Sequence, residues 1–488
     1  MGERIGKEIS QTRDIACGLN PPGGCYRHKI TMPPYNPLVT DSTTFINPLG
    51  LGLTLVMCLL VTVLPRRFAL LPLIAVTCFM TMGQRVLIGG LNFTMIRIVL
   101  LFGWVRLILR REFRSVRLNR IDKALLWWTL SSMVTYVLLW HTYDAFKYEL
   151  GLAYNAVGFY FLFRFLVRDL EEVVRVFRMT AILLVPLAAS MLAENMTGRN
   201  SFAIFGGVSP LTVVRDGMLR CQGPFAHPIL AGTFGAVLLP FYIALWLRGR
   251  GSRAIALLGI VSSTVITFTA GSSGPLIAWI AGILGLGMWS LRKNMRVVRW
   301  GLLLTLIALH LVMKAPVWFL MARVGIFSGS TGYHRAYLID RAVANVSDWW
   351  LIGTKSTASW GDEDQGLFDV TNQYLKEAAD GGLLTLLLFI LIIARCFQGI
   401  GRSVRAMVEV EPRHNQLCVW AMGAALFAHV ASYMSVSYFD QNVVNWFMLL
   451  AMISATTDQF TRAQFRRHAH VESFATNAEV GGEPHLAF

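Results

Sequence analysis

The residues in this chain that most directly suggest chemistry are its arginines outside the basic loops. Arg199, Arg215 and Arg220 lie in one polar stretch and Arg335 and Arg341 in another. A guanidinium group binds phosphate oxygens through paired hydrogen bonds, and a diphosphate needs more than one such group. Beside them stand Arg220-Cys-Gln-Gly-Pro-Phe-Ala-His227-Pro228, His334 next to Arg335, and Asp369-Val-Thr-Asn372-Gln-Tyr374-Leu-Lys-Glu377. Tyr374 and Glu377 are one helical turn apart, so they present a hydroxyl and a carboxylate to one cavity, or else read as an interfacial aromatic and a solvated charge. Asp369 reads as a helix cap or as a functional carboxylate, and His227 as a ligand or as the residue preceding a helix-starting proline.

These residues need a frame. The stretch from Phe319 to Gly382 is long and polar and sits between apolar runs, and loops of this length in a compact protein are usually functional or disordered. Its aromatic and aliphatic content predicts folding. Ala336, Ile339, Val343 and Val346 recur at helical spacing, which predicts a short amphipathic helix with His334, Tyr337 and Arg341 on another side. A second helix is expected to start at an Asp369 cap and run into the next apolar segment.

The frame itself is apolar. With 55% hydrophobic and 15% charged residues and a mean hydropathy of +0.53, a chain of 488 residues is too apolar for a soluble globule. The expected fold is all-α, a polytopic transmembrane bundle of about 12–13 helices with a large, partly helical outer loop. The division is a polar tail over 1–46, a membrane domain over 47–457 with outer loops at 194–225 and 319–382, and a polar tail over 458–488. Thirteen spans place the first tail outside; treating Phe68 to Gly90 as re-entrant gives twelve and keeps it inside.

The net charge of +16 is explained by Lys and Arg in short loops, which read as cytoplasmic, so no nucleic-acid partner is expected. All the polar segments named above then fall on the opposite face. Cys17 and Cys25 could pair only if the first tail is outside, and the cysteine spacing fits no metal, so neither a metal nor another cofactor is expected. Arg97 interrupts an apolar run and either lines the same cavity or makes a structural ion pair. Arg164 is expected to snorkel to the cytoplasmic surface.

Taken together, these features resemble the bacterial O-antigen ligase and polymerase superfamily of integral membrane glycan transferases. The resemblance covers most of the chain. It rests on the Arg220 to Pro228 segment before a mid-chain helix, the Ser272 to Gly274 turn, and an outer loop with Arg335, Trp349-Trp350-Leu-Ile-Gly353, Asn372-Gln-Tyr374-Leu, Glu377 and Gly381-Gly382. One departure matters: ligases of this family usually carry a His-Asn pair where this chain reads Thr371-Asn372. A polymerase of lipid-linked repeat units therefore fits better than a ligase, with His334, Asp369 or Glu377 as base.

The resemblance implies transfer of a glycan from a polyprenyl diphosphate at the periplasmic face of the bacterial inner membrane, making exopolysaccharide or O-antigen. Its partners are the bilayer, the lipid-linked glycan and other polysaccharide-assembly proteins. Arg220 and Arg335, supported by Arg215, would stabilise the leaving diphosphate, with Arg199, His227, Arg341, Asn372, Tyr374 and Arg97 as further binding residues. Trp349, Trp350 and Trp360 stack on sugars or anchor the loop. The rival readings are a transporter or flippase of lipid-linked sugars or small anions, and a structural subunit of an assembly complex.

Overall fold

In a computed structural model, residues 44–113, 117–323, 332–361 and 370–480 are described, with side chains as far as residue 463. Asp369, Cys17 and Cys25 lie outside these residues. The described residues are 76% helix and 4% strand, an all-α architecture decorated by two small hairpins.

The helices begin and end where the local chemistry dictates. Asn47 caps α1 (Pro48–Val63) by accepting from the Leu49 amide, with Pro48 in the first turn, where its missing N–H is not needed. α2 (Leu71–Phe79) has nine residues, too few to cross a bilayer. A hairpin follows, β1 (Arg85–Ile88) and β2 (Leu91–Thr94). The apolar run that Arg97 interrupts therefore starts as strand at Leu91, and only α3 (Met95–Leu109) is helical.

α4 (Arg120–Trp140) opens on a reciprocal Asn119–Asp122 capping box, and α5 (Tyr143–Leu166) on Thr142. α6 (Leu170–Thr197) starts at Asp169 and stops at Gly198. α7 (Pro228–Leu247) is buried along nearly all its length and packs against α8 (Arg250–Thr269) and α9 (Ser273–Gly287). α10 (Met295–Val312) buries none of its residues. A polar segment with the short helices α11 (Leu320–Arg323), α12 (Gly332–Ala344) and α13 (Val346–Trp349) leads to α14 (Gln373–Met407), α15 (Arg413–Ser432) and α16 (Gln441–Val480).

Among the described residues, five helical stretches are long and apolar enough to cross a membrane: Leu170–Thr197, Pro228–Leu247, Arg250–Thr269, Ser273–Val312 and Gln373–Met407. This is fewer than the sequence reading counted. Several of the remaining helices are short, like α2, or bring charged groups inside. Arg164 is one of these and does not snorkel. It is 1% exposed, pairs with Asp458 and lies 3.5 Å from Asp122, whose carboxylate also accepts from Ser454 and Tyr160. This network joins α4, α5 and α16, and its carboxylates balance the buried cation.

Candidate functional site

The Arg220 segment forms a second hairpin, β3 (Val213–Arg215) and β4 (Met218–Arg220), which turns through Asp216-Gly217. The chain after it is fastened at several points. The Cys221 amide donates to the Thr269 carbonyl at 3.0 Å, and a Cβ on Gly271 would stand 3.2 Å from Arg220 Cγ. Arg220 is thus seated against the turn that opens into Ser272 to Gly274.

Glu194, in the last turn of α6, accepts from the amides of Gln222 (3.1 Å) and Gly223 (2.9 Å) and from the Thr212 hydroxyl (3.2 Å). Asn200 donates to the Gly223 carbonyl at 2.7 Å. The sequence reading used Glu194 only as a loop boundary. Its signal was positional: a carboxylate in the last turn opposes the helix dipole and therefore needs partners elsewhere.

Arg335 comes from α12, whose buried face is Arg335, Ala336, Leu338 and Ala342, whereas Val343 and Val346 are exposed. The expected stripe of Ala336, Ile339, Val343 and Val346 is therefore rotated. An aliphatic run predicted the inward face, but the helix turns a guanidinium inward with Leu338 and Ala342. Leu338, Ala342, Tyr337, Trp349, Trp360 and Ala378 make a small core that fixes the polar segment to α14. Trp349 donates to the Ala342 carbonyl and Trp360 to Asp348, so both work as anchors, while Trp350 is exposed.

The loop and α14 also lock through their backbones. The Thr354 amide donates to the Ala379 carbonyl at 2.7 Å and the Leu383 amide to the Trp350 carbonyl at 2.9 Å. Gly353 (φ 95°) and Gly382 (φ 72°) adopt left-handed conformations here, and Gly382 kinks α14.

The structure brings Arg215, Arg220 and Arg335 into electrostatic reach of one another. Arg220 and Arg335 are 9% and 8% exposed; the Nε of each is buried without a hydrogen-bond partner, and neither makes an ion pair among the described residues. Burial lowers the pKa of both. Arg215 lowers Arg220 further, and Arg215 and Arg220 together help push Arg335 down to about 10. A buried cation without a counter-charge costs several kcal/mol, roughly what an incoming anion would relieve. Arg341 lies half-buried with its guanidinium 4.9 Å from the Tyr337 ring centre, and His334 is half-buried beside Arg335.

The other named residues are occupied elsewhere. Arg199 is exposed on an isolated bridge to Leu211. His227 is exposed and caps α7, its Nδ1 accepting from the Ile229 amide. The cap of α14 is Asn372, which accepts from the Tyr374 and Leu375 amides, so the expected Asp369 cap is corrected: the helix starts later because Asn372 supplies the acceptor. Tyr374 donates to the Val430 carbonyl, whereas Glu377 accepts from Trp128 Nε1 (2.8 Å) and Gln373 Nε2 (2.7 Å), so the two do not share partners. Among the described residues Arg97 makes no ion pair, and none of Arg215, Arg220 and Arg335 acts on its charge. It donates to Asn155, to the Asn92 carbonyl and to the Gly151 carbonyl, tying the first hairpin to α5.

The arrangement is suited to holding a multiply charged anion between a docked hairpin and a docked helix. No protein-family model matches the sequence, and a search of curated proteins finds no match.

Proposed function

We propose that this protein is a membrane-embedded glycosyltransferase that polymerises polyprenyl-diphosphate-linked oligosaccharide units. The observation that carries the reading is the pair of largely buried arginines, Arg220 and Arg335, each with an unpartnered buried Nε and no ion pair among the described residues. Two fixed cations with a third, Arg215, nearby match the two phosphates of a diphosphate leaving group. They bind it more strongly as its bond to the sugar breaks and its charge grows. The acceptor hydroxyl attacks the anomeric carbon, its proton passes to a base, and the diphosphate leaves. His334, which precedes Arg335 on α12, would serve as that base, with the buried Glu377 as the alternative.

The five apolar helices support insertion in a membrane, and reading the basic loops as cytoplasmic favours an arginine group on the side away from the cytoplasm. In bacteria that side is the periplasmic face of the inner membrane.

The test is reconstitution of the purified protein with a polyprenyl-diphosphate-linked repeat unit, resolving products by size. A ladder of longer lipid-linked chains that falls about a hundredfold or more in Arg220→Ala supports the proposal. Movement of the unit across the bilayer without a covalent product turns the reading to transport.

A further inference from the structure

The Ser272 to Gly274 turn opens α9 and is left unused by the arginine pair. Ser272 has the extended backbone of a capping residue, φ −137° and ψ 135°, yet its side chain makes no cap hydrogen bond. The Ser273 and Gly274 amides have no partner inside the helix, as in any first turn, and among the described residues no carbonyl outside the helix receives them. The next position is Pro275, which has no amide hydrogen to offer. Two amides and one hydroxyl therefore stand uncommitted at this helix start.

The turn is held firmly. A Cβ on Gly232 of α7 would stand 2.7 Å from Ala270 Cβ and 2.8 Å from Pro275 Cβ, and one on Gly274 would stand 2.6 Å from Ser435 Oγ, so α7 and the chain after α15 both press on it. Arg220 closes a third side, lying against Gly271 directly before the cap, with its buried Nε unpartnered. Aligned amides and the positive end of the helix dipole favour negative charge, in the same sense as the guanidinium groups. A phosphate group accepts from amides on one side and from a guanidinium on another, whereas a neutral or cationic ligand gains nothing from this combination.

We infer that the start of α9 is the cradle for one phosphate of the diphosphate, whose oxygens accept from the Ser273 and Gly274 amides and the Ser272 hydroxyl while Arg220 and Arg335 bind the rest of the group. This deepens the proposed function and rests on its diphosphate site, not on glycan transfer. The arginines supply the charge, and the helix start fixes the position at which the phosphate sits.

The test is binding of inorganic pyrophosphate to the purified full chain, measured by isothermal titration calorimetry. Ser273→Pro is the informative variant: proline suits the first helical position, and the extended Ser272 before it tolerates a following proline, so one amide donor is removed and the helix is kept. Ser273→Ala removes the hydroxyl and keeps the amide. Ser273→Pro should weaken pyrophosphate binding about tenfold or more, as for a lost hydrogen bond to a charged group, while Ser273→Ala stays within roughly threefold of the unaltered protein. Equal affinity of the two variants overturns the cradle. Matching thermal midpoints without ligand show that the proline variant folds; where its midpoint falls, Ser272→Ala decides, with a loss of about threefold or more expected and unchanged affinity overturning the cradle. Binding that is lost in Arg220→Ala but kept in every serine variant overturns the cradle alone, whereas an unaltered protein that binds no pyrophosphate removes the diphosphate site and the cradle together. Binding that follows the expected order without any covalent product in the transfer assay leaves the cradle standing.

Discussion

Gly382 lies against the Leu351 carbonyl so closely that a Cβ on the glycine would stand 2.5 Å from that oxygen. The contact joins the tryptophan loop to the kink of α14, next to the small core in which α12 packs its Tyr337, Leu338 and Ala342. Gly382→Ala adds a steric clash to a left-handed backbone strain of about 1 kcal/mol or more. The expected result is a lower thermal midpoint and faster proteolytic cleavage within residues 332–361. An unchanged cleavage pattern would show that this contact does not hold the loop.

Arg335 should trade stability for binding. Burial, then Arg215 and Arg220, lowers its pKa from the usual guanidinium range to about 10, so the charged form is disfavoured in the folded chain relative to the unfolded one. The resulting penalty is complete below about pH 10 and fades as pH rises from there towards the free guanidinium's range. Arg335→Met should therefore stabilise the ligand-free protein at pH 7 by about 1–3 kcal/mol while abolishing pyrophosphate binding. Thermal unfolding with and without pyrophosphate checks both parts, and a destabilised variant would mean that the guanidinium has a structural partner.

Arg97 makes the opposite prediction. Its three hydrogen bonds link β2 to α5, and Arg97→Ala leaves Asn155 and two carbonyls without that donor. A loss of about 2 kcal/mol or more in stability is expected, with the transfer rate per folded molecule unchanged. A selective loss of rate at full stability would return Arg97 to the site.

Much of the frame could be read directly. Pro228 to Leu247 was legible at both ends because a proline opens the apolar run and an arginine follows it. The proximity of Arg220 to the Ser272 turn was not legible, since it depends on a hydrogen bond from Cys221 to Thr269 between separate elements. The phase of α12 was misread because Val343 and Val346 drew the stripe towards solvent, whereas Leu338 and Ala342 are buried beside Ala336 and an arginine, Arg335, joins that face. Arg97 and Arg164 showed the converse difficulty: sequence marks an arginine in an apolar run as unusual but does not show whether carbonyls, carboxylates or a cavity receive it.

Asp440 offers a test in the turn between α15 and α16. Burial raises its pKa from 3.8 to about 6, so the folded chain holds this proton more tightly than the unfolded chain. Its favourable contribution is complete below pH 3.8 and is lost as pH rises through about 6. Asp440→Asn keeps a residue that tolerates the left-handed φ of 55° and should raise stability at pH 7 by about 1–3 kcal/mol. At pH 4 the gain should vanish. Equal gains at both values would assign the effect to packing rather than to charge.

The uncovered helix α10 has a practical consequence. Because Met295–Val312 buries no residue against the rest of the chain, its apolar surface is satisfied only by what surrounds the protein. Extraction conditions will then be judged by this helix before any other part: a detergent that shields the bundle but strips α10 leaves an adhesive rod on an otherwise intact molecule. Aggregation during purification would begin there, with the arginine site still folded.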